Sequence, residues 1–82
     1  MLTQTVREKL IEINKQFSDG SIRYDGILTF IDSHSLTFIE TAVIVAKQHP
    51  FIDCNKRTAI KFMEWAYNEA VPGFVYEILK EA

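Results

Sequence analysis

Within nine residues, from 49 to 57, the chain sets an imidazole (His49), a carboxylate (Asp53), a carboxamide (Asn55), an ammonium (Lys56) and a guanidinium (Arg57). These are the parts for phosphate chemistry. Imidazole titrates close to neutral pH, which suits His49 to take the proton from an attacking hydroxyl. Magnesium is usually held by one or two carboxylates plus phosphate oxygens, and Asp53 can supply one. Lys56 and Arg57 add point and bidentate charge for an anion. Cys54, the only cysteine, reads as a small residue in a tight loop, since nothing else in the sequence suggests covalent catalysis or a metal thiolate. His34 lacks such company and reads as a surface loop residue.

The elements that must position this run follow from its punctuation. Pro50 removes a backbone donor and disfavours helical geometry in the residue before it, so residues 49–53 form a loop. A helix begins near Asn55, and its start offers unpaired backbone N–H groups and a partial positive charge. Asn55 can cap that helix, and Lys56 and Arg57 can be its solvated first turn. Cations there oppose the helix dipole by about 0.3–1 kcal/mol, a cost that makes sense if an anion binds. The buried stripe of this helix is Ala59, Phe62, Met63, Ala66 and Ala70, with Trp65 at its edge. Trp65, Tyr67 and Tyr76 read as core or edge packing. Before the loop, residues 36–48 carry a stripe of Leu36, Ile39, Ala42, Val43 and Ala46, while Phe38, Ile44 and Val45 spread hydrophobicity almost around the axis. That makes a central helix, with Thr37 and Glu40 at capping-box spacing.

Further upstream, Leu2, Val6, Leu10, Ile13 and Phe17 recur at three- and four-residue steps, the mark of an amphipathic helix. Gly20 suits the left-handed conformation that closes helices. Asp25-Gly26 resembles a hairpin turn, but no third strand candidate exists, so a short helix over residues 26–32 with Asp25 near its N-cap is expected. Pro72-Gly73 separates a last short helix over residues 74–81. The expected fold is all-α, a bundle of about five helices forming one domain over residues 1–82.

Composition bounds the function classes. With 48% hydrophobic and 24% charged residues the chain is of the globular type, and a chain of 82 residues buries only about 60–65% of the area exposed when unfolded. A net charge of -2 gives no global positive field for duplex DNA, so no nucleic-acid partner is expected. A small helical binder using Lys56, Arg57 and Lys61 would need a basic face. No apolar stretch approaches the roughly 20 residues of a membrane span. One cysteine and no secretory leader make the cytoplasm the expected compartment.

The string H-P-F-I-D-C-N-K-R resembles the signature of the Fic/Doc family, roughly H-x-F-x-(D/E)-(G/A)-N-(G/K)-R, matching at His49, Phe51, Asp53, Asn55, Lys56 and Arg57. A looser similarity to the Doc (death-on-curing) branch runs from Gly20 through Leu28. The resemblance implies that His49 is the general base toward a target-protein hydroxyl and that Asp53 contacts magnesium on the phosphates of ATP. It implies that Asn55, Lys56 and Arg57 bind the anion, that backbone at Cys54 approaches the phosphates closely, and that Phe51, beside Pro50, turns its ring into the core and fixes the loop.

Departures from the pattern point to a branch. Adenylylating members carry glycine at the position of Lys56 and a second arginine at that of Ile60. The chain is closer to Doc, which implies transfer of a terminal phosphate rather than of AMP. Cys54 replaces Gly or Ala, only residues 32–35 stand where the target-docking flap belongs, and the chain ends about 25 residues after the motif. A partner chain or oligomer would then complete the domain. No inhibitory S/T-x-x-x-E-(G/N) helix occurs, so restraint would come from a separate antitoxin-like partner. The alternatives are AMP transfer, or a degenerate domain that binds a nucleotide or a partner without catalysis.

Overall fold

The Thr5 hydroxyl accepts the Glu8 amide at 3.1 Å and so starts the first helix, α1 (Val6–Asn14). The structure is a computed structural model that describes residues 4–68 and 72–81. Leu2 and Ala70, placed above in helical stripes, lie outside the described residues. α1 buries Leu10, Ile13 and Asn14 and stops at Asn14, short of the expected stripe end at Phe17. Residues 16 and 17 instead make i→i−3 bonds to Ile13 and Asn14, and Gly20 turns the chain with φ 77°. A Cβ there would come within 2.8 Å of Lys15 Cγ, so glycine is required by space as well as by φ.

Residues 21–24 form no hairpin with residues 27–30. They run along the loop before the fourth helix, where Ile22 pairs with Phe51 in a single antiparallel bridge and the chain bends at Arg23. α2 (Asp25–Ser33) follows, and Tyr24 rather than Asp25 occupies its N-cap, with no side-chain cap bond. Asp25 sits in the first turn, paired with Arg7 of α1. Leu28 and Ile31 carry its packing onto α1.

α3 (Phe38–Gln48) opens with a complete capping box: Thr37 accepts the Glu40 amide at 3.1 Å and Glu40 accepts the Thr37 amide at 2.9 Å. Its buried face is Thr41, Ala42, Val45 and Ala46, leaving Leu36, Ile39 and Val43 half-buried. α4 (Asn55–Tyr67) and α5 (Gly73–Glu81) complete an all-α bundle of five helices. The central element is α4, not α3 as expected: α4 packs on α1, α3 and α5, whereas α3 packs on α4 and α5. The reason is composition, because α4 presents Thr58, Ala59, Phe62 and Met63 as one closely packing face. No helix among the described residues is long and apolar enough to cross a membrane.

The capping box gives a measurable prediction. Thr37→Ala should cost about 1 kcal/mol of stability in urea unfolding. The Thr37 amide, then its hydroxyl, hold the Glu40 carboxyl below the ordinary carboxylate range. A depressed folded-state pKa stabilises at neutral pH, and that contribution fades as pH falls through the carboxylate range. Stability of Glu40→Gln should therefore fall less steeply on acidification than that of the wild type.

Candidate functional site

α3 ends because His49 adopts the left-handed conformation, φ 52° and ψ 60°, and Pro50 follows it. Three sets of contacts then hold the loop in place. Phe51 is fully buried in the shared core, and Pro50 is buried beside it. Arg23 and Tyr24 both donate their amides to the Pro50 carbonyl, at 2.7 and 2.9 Å, and Ile52 donates to the Ser21 carbonyl at 3.1 Å. The Asn55 carboxamide accepts the Phe51 amide at 2.8 Å and donates to the Phe51 carbonyl at 2.9 Å.

Asn55, which the resemblance places in the anion-binding group, thus uses its carboxamide to brace the Phe51 backbone. Both of its polar groups are occupied by the backbone they brace, and the residue is buried. Its contribution at the surface is its backbone N–H. Cys54, left-handed at φ 59°, is the N-cap of α4 and supplies no side-chain cap bond. Thr58 N is the first amide of α4 to find a helical acceptor, Cys54 O at 2.9 Å, so the amides of residues 55–57 have no protein partner among the described residues. α1, α2 and α3 each carry an acidic residue in the first turn, whereas α4 carries none and has Lys56 and Arg57 there. The positive end of the α4 dipole is thus uncompensated from within its own turn.

The residues that bear these amides line a hollow of about 650 Å³ together with His49, Ile52, Asp53 and Cys54. The sequence-designated residues His49, Asp53, Cys54, Asn55, Lys56 and Arg57 therefore do come together. His49, Asp53, Lys56 and Arg57 are exposed there, and the His49 ring has no hydrogen-bond partner among the described residues. One Asp53 carboxylate oxygen accepts the Cys54 amide at 2.8 Å, and the other is unpartnered among the described residues. No group of three or more His, Cys, Asp or Glu suited to a metal occurs among the described residues. A magnesium ion that takes one carboxylate and completes its shell with phosphate oxygens and water fits this donor set.

The two cations differ from expectation in where their side chains rest. The Lys56 ammonium donates to the Lys80 carbonyl at 2.6 Å, in the last turn of α5, where the dipole favours a cation. The Arg57 guanidinium stands 5.6 Å from the Phe17 ring centroid. Both side chains still border the hollow. Trp65 and Tyr67 are about half exposed and pack at the edge, against Phe62 and Phe38 respectively, while Tyr76 is half-buried with its hydroxyl on Glu64 at 3.2 Å.

Cys54 raises the question of blockage. Its thiol is directed to the Phe17 carbonyl, 3.7 Å away. The left-handed backbone costs a non-glycine residue roughly 1–2 kcal/mol, partly offset by the unfolded-state entropy glycine would add. Cys54→Gly is accordingly expected to unfold at the wild-type urea midpoint or slightly above it. A β-branched Cys54→Val should fall clearly below.

Two contributors carry no motif in the sequence, the strap of residues 21–24 and Asn14. Asn14 had a legible signal: a polar residue at position i+4 from Leu10, on the face of α1 that faces the core. Comparison of the chain with protein-family models, with curated proteins and with solved structures returns no match.

Proposed function

We propose that the chain is a Fic/Doc-like transferase, closest to the Doc branch, which uses Mg-ATP to phosphorylate a hydroxyl side chain of a cytoplasmic protein. The observation that carries this reading is the set of three uncapped amides at the start of α4, on residues that line one hollow with His49 and Asp53. A triphosphate suits that place, because oriented amides and a helix dipole favour anions without further charge.

In this reading the amides of residues 55–57 hold phosphate oxygens of ATP, with the Arg57 guanidinium at the rim. Lys56 joins them by leaving the Lys80 carbonyl. Asp53 would hold the magnesium ion, whose chemistry is to neutralise phosphate charge. His49 takes the proton of the target hydroxyl as its oxygen bonds to the γ-phosphorus. The bond from γ-phosphorus to the bridging oxygen breaks and ADP leaves. Catalysis of this kind is mostly positioning and electrostatic stabilisation, which an 82-residue helical frame can supply. Restraint falls to a separate inhibitory partner, and a partner or second copy supplies whatever surface the short segment 32–35 does not.

The test is incubation of the protein with a lysate and ATP labelled at either the α or the γ position. Label from γ alone on a protein band supports phosphorylation, label from α supports AMP transfer, and no band from either removes the transferase reading. A second reading, a non-catalytic domain that binds nucleotide or partner, is favoured by the Lys56–Lys80 contact, which engages one cation at the rim of the hollow with the protein's own backbone. Calorimetry with Mg-ATP would then show binding without transfer.

A further inference from the structure

We infer that Asn14, on α1 and outside the loop, is the positioning residue that sets the Asp53 end of the hollow; the inference rests on the anion-binding reading above. Asn14 is 1% exposed, and its carboxamide is fully engaged. Its Nδ2 donates to the Asp53 carbonyl at 2.9 Å and to the Thr58 hydroxyl at 3.0 Å, and its Oδ1 accepts the Gly20 amide at 3.0 Å. One side chain thus ties the end of α1, the Gly20 turn, the loop and the first turn of α4 together.

The Asp53–Cys54 peptide is where these bonds act. Its carbonyl points inward to Asn14, and its N–H points the other way, onto the Asp53 carboxylate at 2.8 Å. Fixing the carbonyl fixes the plane of the whole peptide. The plane in turn aims the carboxylate offered to magnesium and the amides that follow. Cys54 at φ 59° is in a region that non-glycine residues seldom occupy and that persists only where neighbours impose it. Asn14 is the buried neighbour that imposes it. Outer bonds of this kind, which hold a ligating residue rather than touch the ligand, typically change metal affinity by about 10–100-fold when removed.

A merely structural Asn14 would lower stability and nothing else, so the test separates the two. Asn14→Leu keeps the approximate shape and removes the bonds. Ile31→Val on α2, 2% exposed and outside the hollow, serves as the destabilised control. Two quantities are read on folded protein: backbone amide exchange without ligand at Cys54 and Thr58, the amides of this turn that are hydrogen-bonded, and the factor by which magnesium tightens ATP binding in calorimetry. Asn14→Leu should speed exchange at Cys54 and Thr58 selectively and reduce the magnesium factor by about tenfold or more, whereas Ile31→Val changes neither selectively. Where Asn14→Leu does not fold, Asn14→Gln, which shifts both amide groups by one methylene, is read in the same way. Equal behaviour of the Asn14 variant and the control overturns the inference while leaving the transferase reading standing. If the wild type binds no Mg-ATP, that reading falls, and the exchange pattern alone decides the role of Asn14.

Discussion

His49→Ala is expected to lower label transfer from ATP by about 10²–10⁴-fold, the usual contribution of a positioned general base. The expectation is clean because the His49 ring is exposed and makes no hydrogen bond to the loop among the described residues. Its removal should leave the Phe51 anchor, the Asn55 brace and the α4 amides in place. Calorimetry should accordingly give a Mg-ATP affinity near the wild-type value. Equal transfer by variant and wild type would remove His49 from the chemistry.

Phe51→Ala carries the largest expected effect on stability. Its ring is fully buried, and its own backbone is gripped on both sides, by Asn55 and by the Ile22 bridge. Deleting a buried phenyl ring costs about 3–5 kcal/mol, against a total of about 4–12 kcal/mol for a chain this long. The variant should melt at a far lower urea concentration or lose a cooperative transition altogether. Ile52→Ala, at a neighbour that is 63% exposed, should stay within about 0.5 kcal/mol of the wild type. Similar midpoints for the two variants would mean that Phe51 does not anchor the loop.

The helices were legible where a period and a cap coincide. Thr37 with Glu40 announces the start of α3, and His49-Pro50 its end, because both signals are local and strong. The start of α2 was less legible, since Asp25-Gly26 carries turn chemistry that suits a hairpin as well as a first helical turn. What sequence spacing could not show is which polar groups are used up internally. Asn55 looks like an anion ligand in the string, yet the buried Phe51 peptide needs a partner and Asn55 is four residues away, so the carboxamide is consumed there. Lys56 was expected to project its ammonium toward the anion, but the long side chain reaches the α5 carbonyls, a contact between elements 24 residues apart. Asn14 was visible as a polar residue on an apolar face, but its partners lie up to 44 residues away and only the fold brings them together.

The central claim, that the α4 amides cradle nucleotide phosphates beside His49, is tested most directly by titrating the ¹⁵N-labelled protein with Mg-ATP and following backbone amide shifts. Saturable shifts centred on residues 55–57 and on His49, weakened in Arg57→Ala, are the predicted result. Unmoved amides at those positions, with nucleotide at millimolar concentration or with shifts confined to other helices, would contradict it.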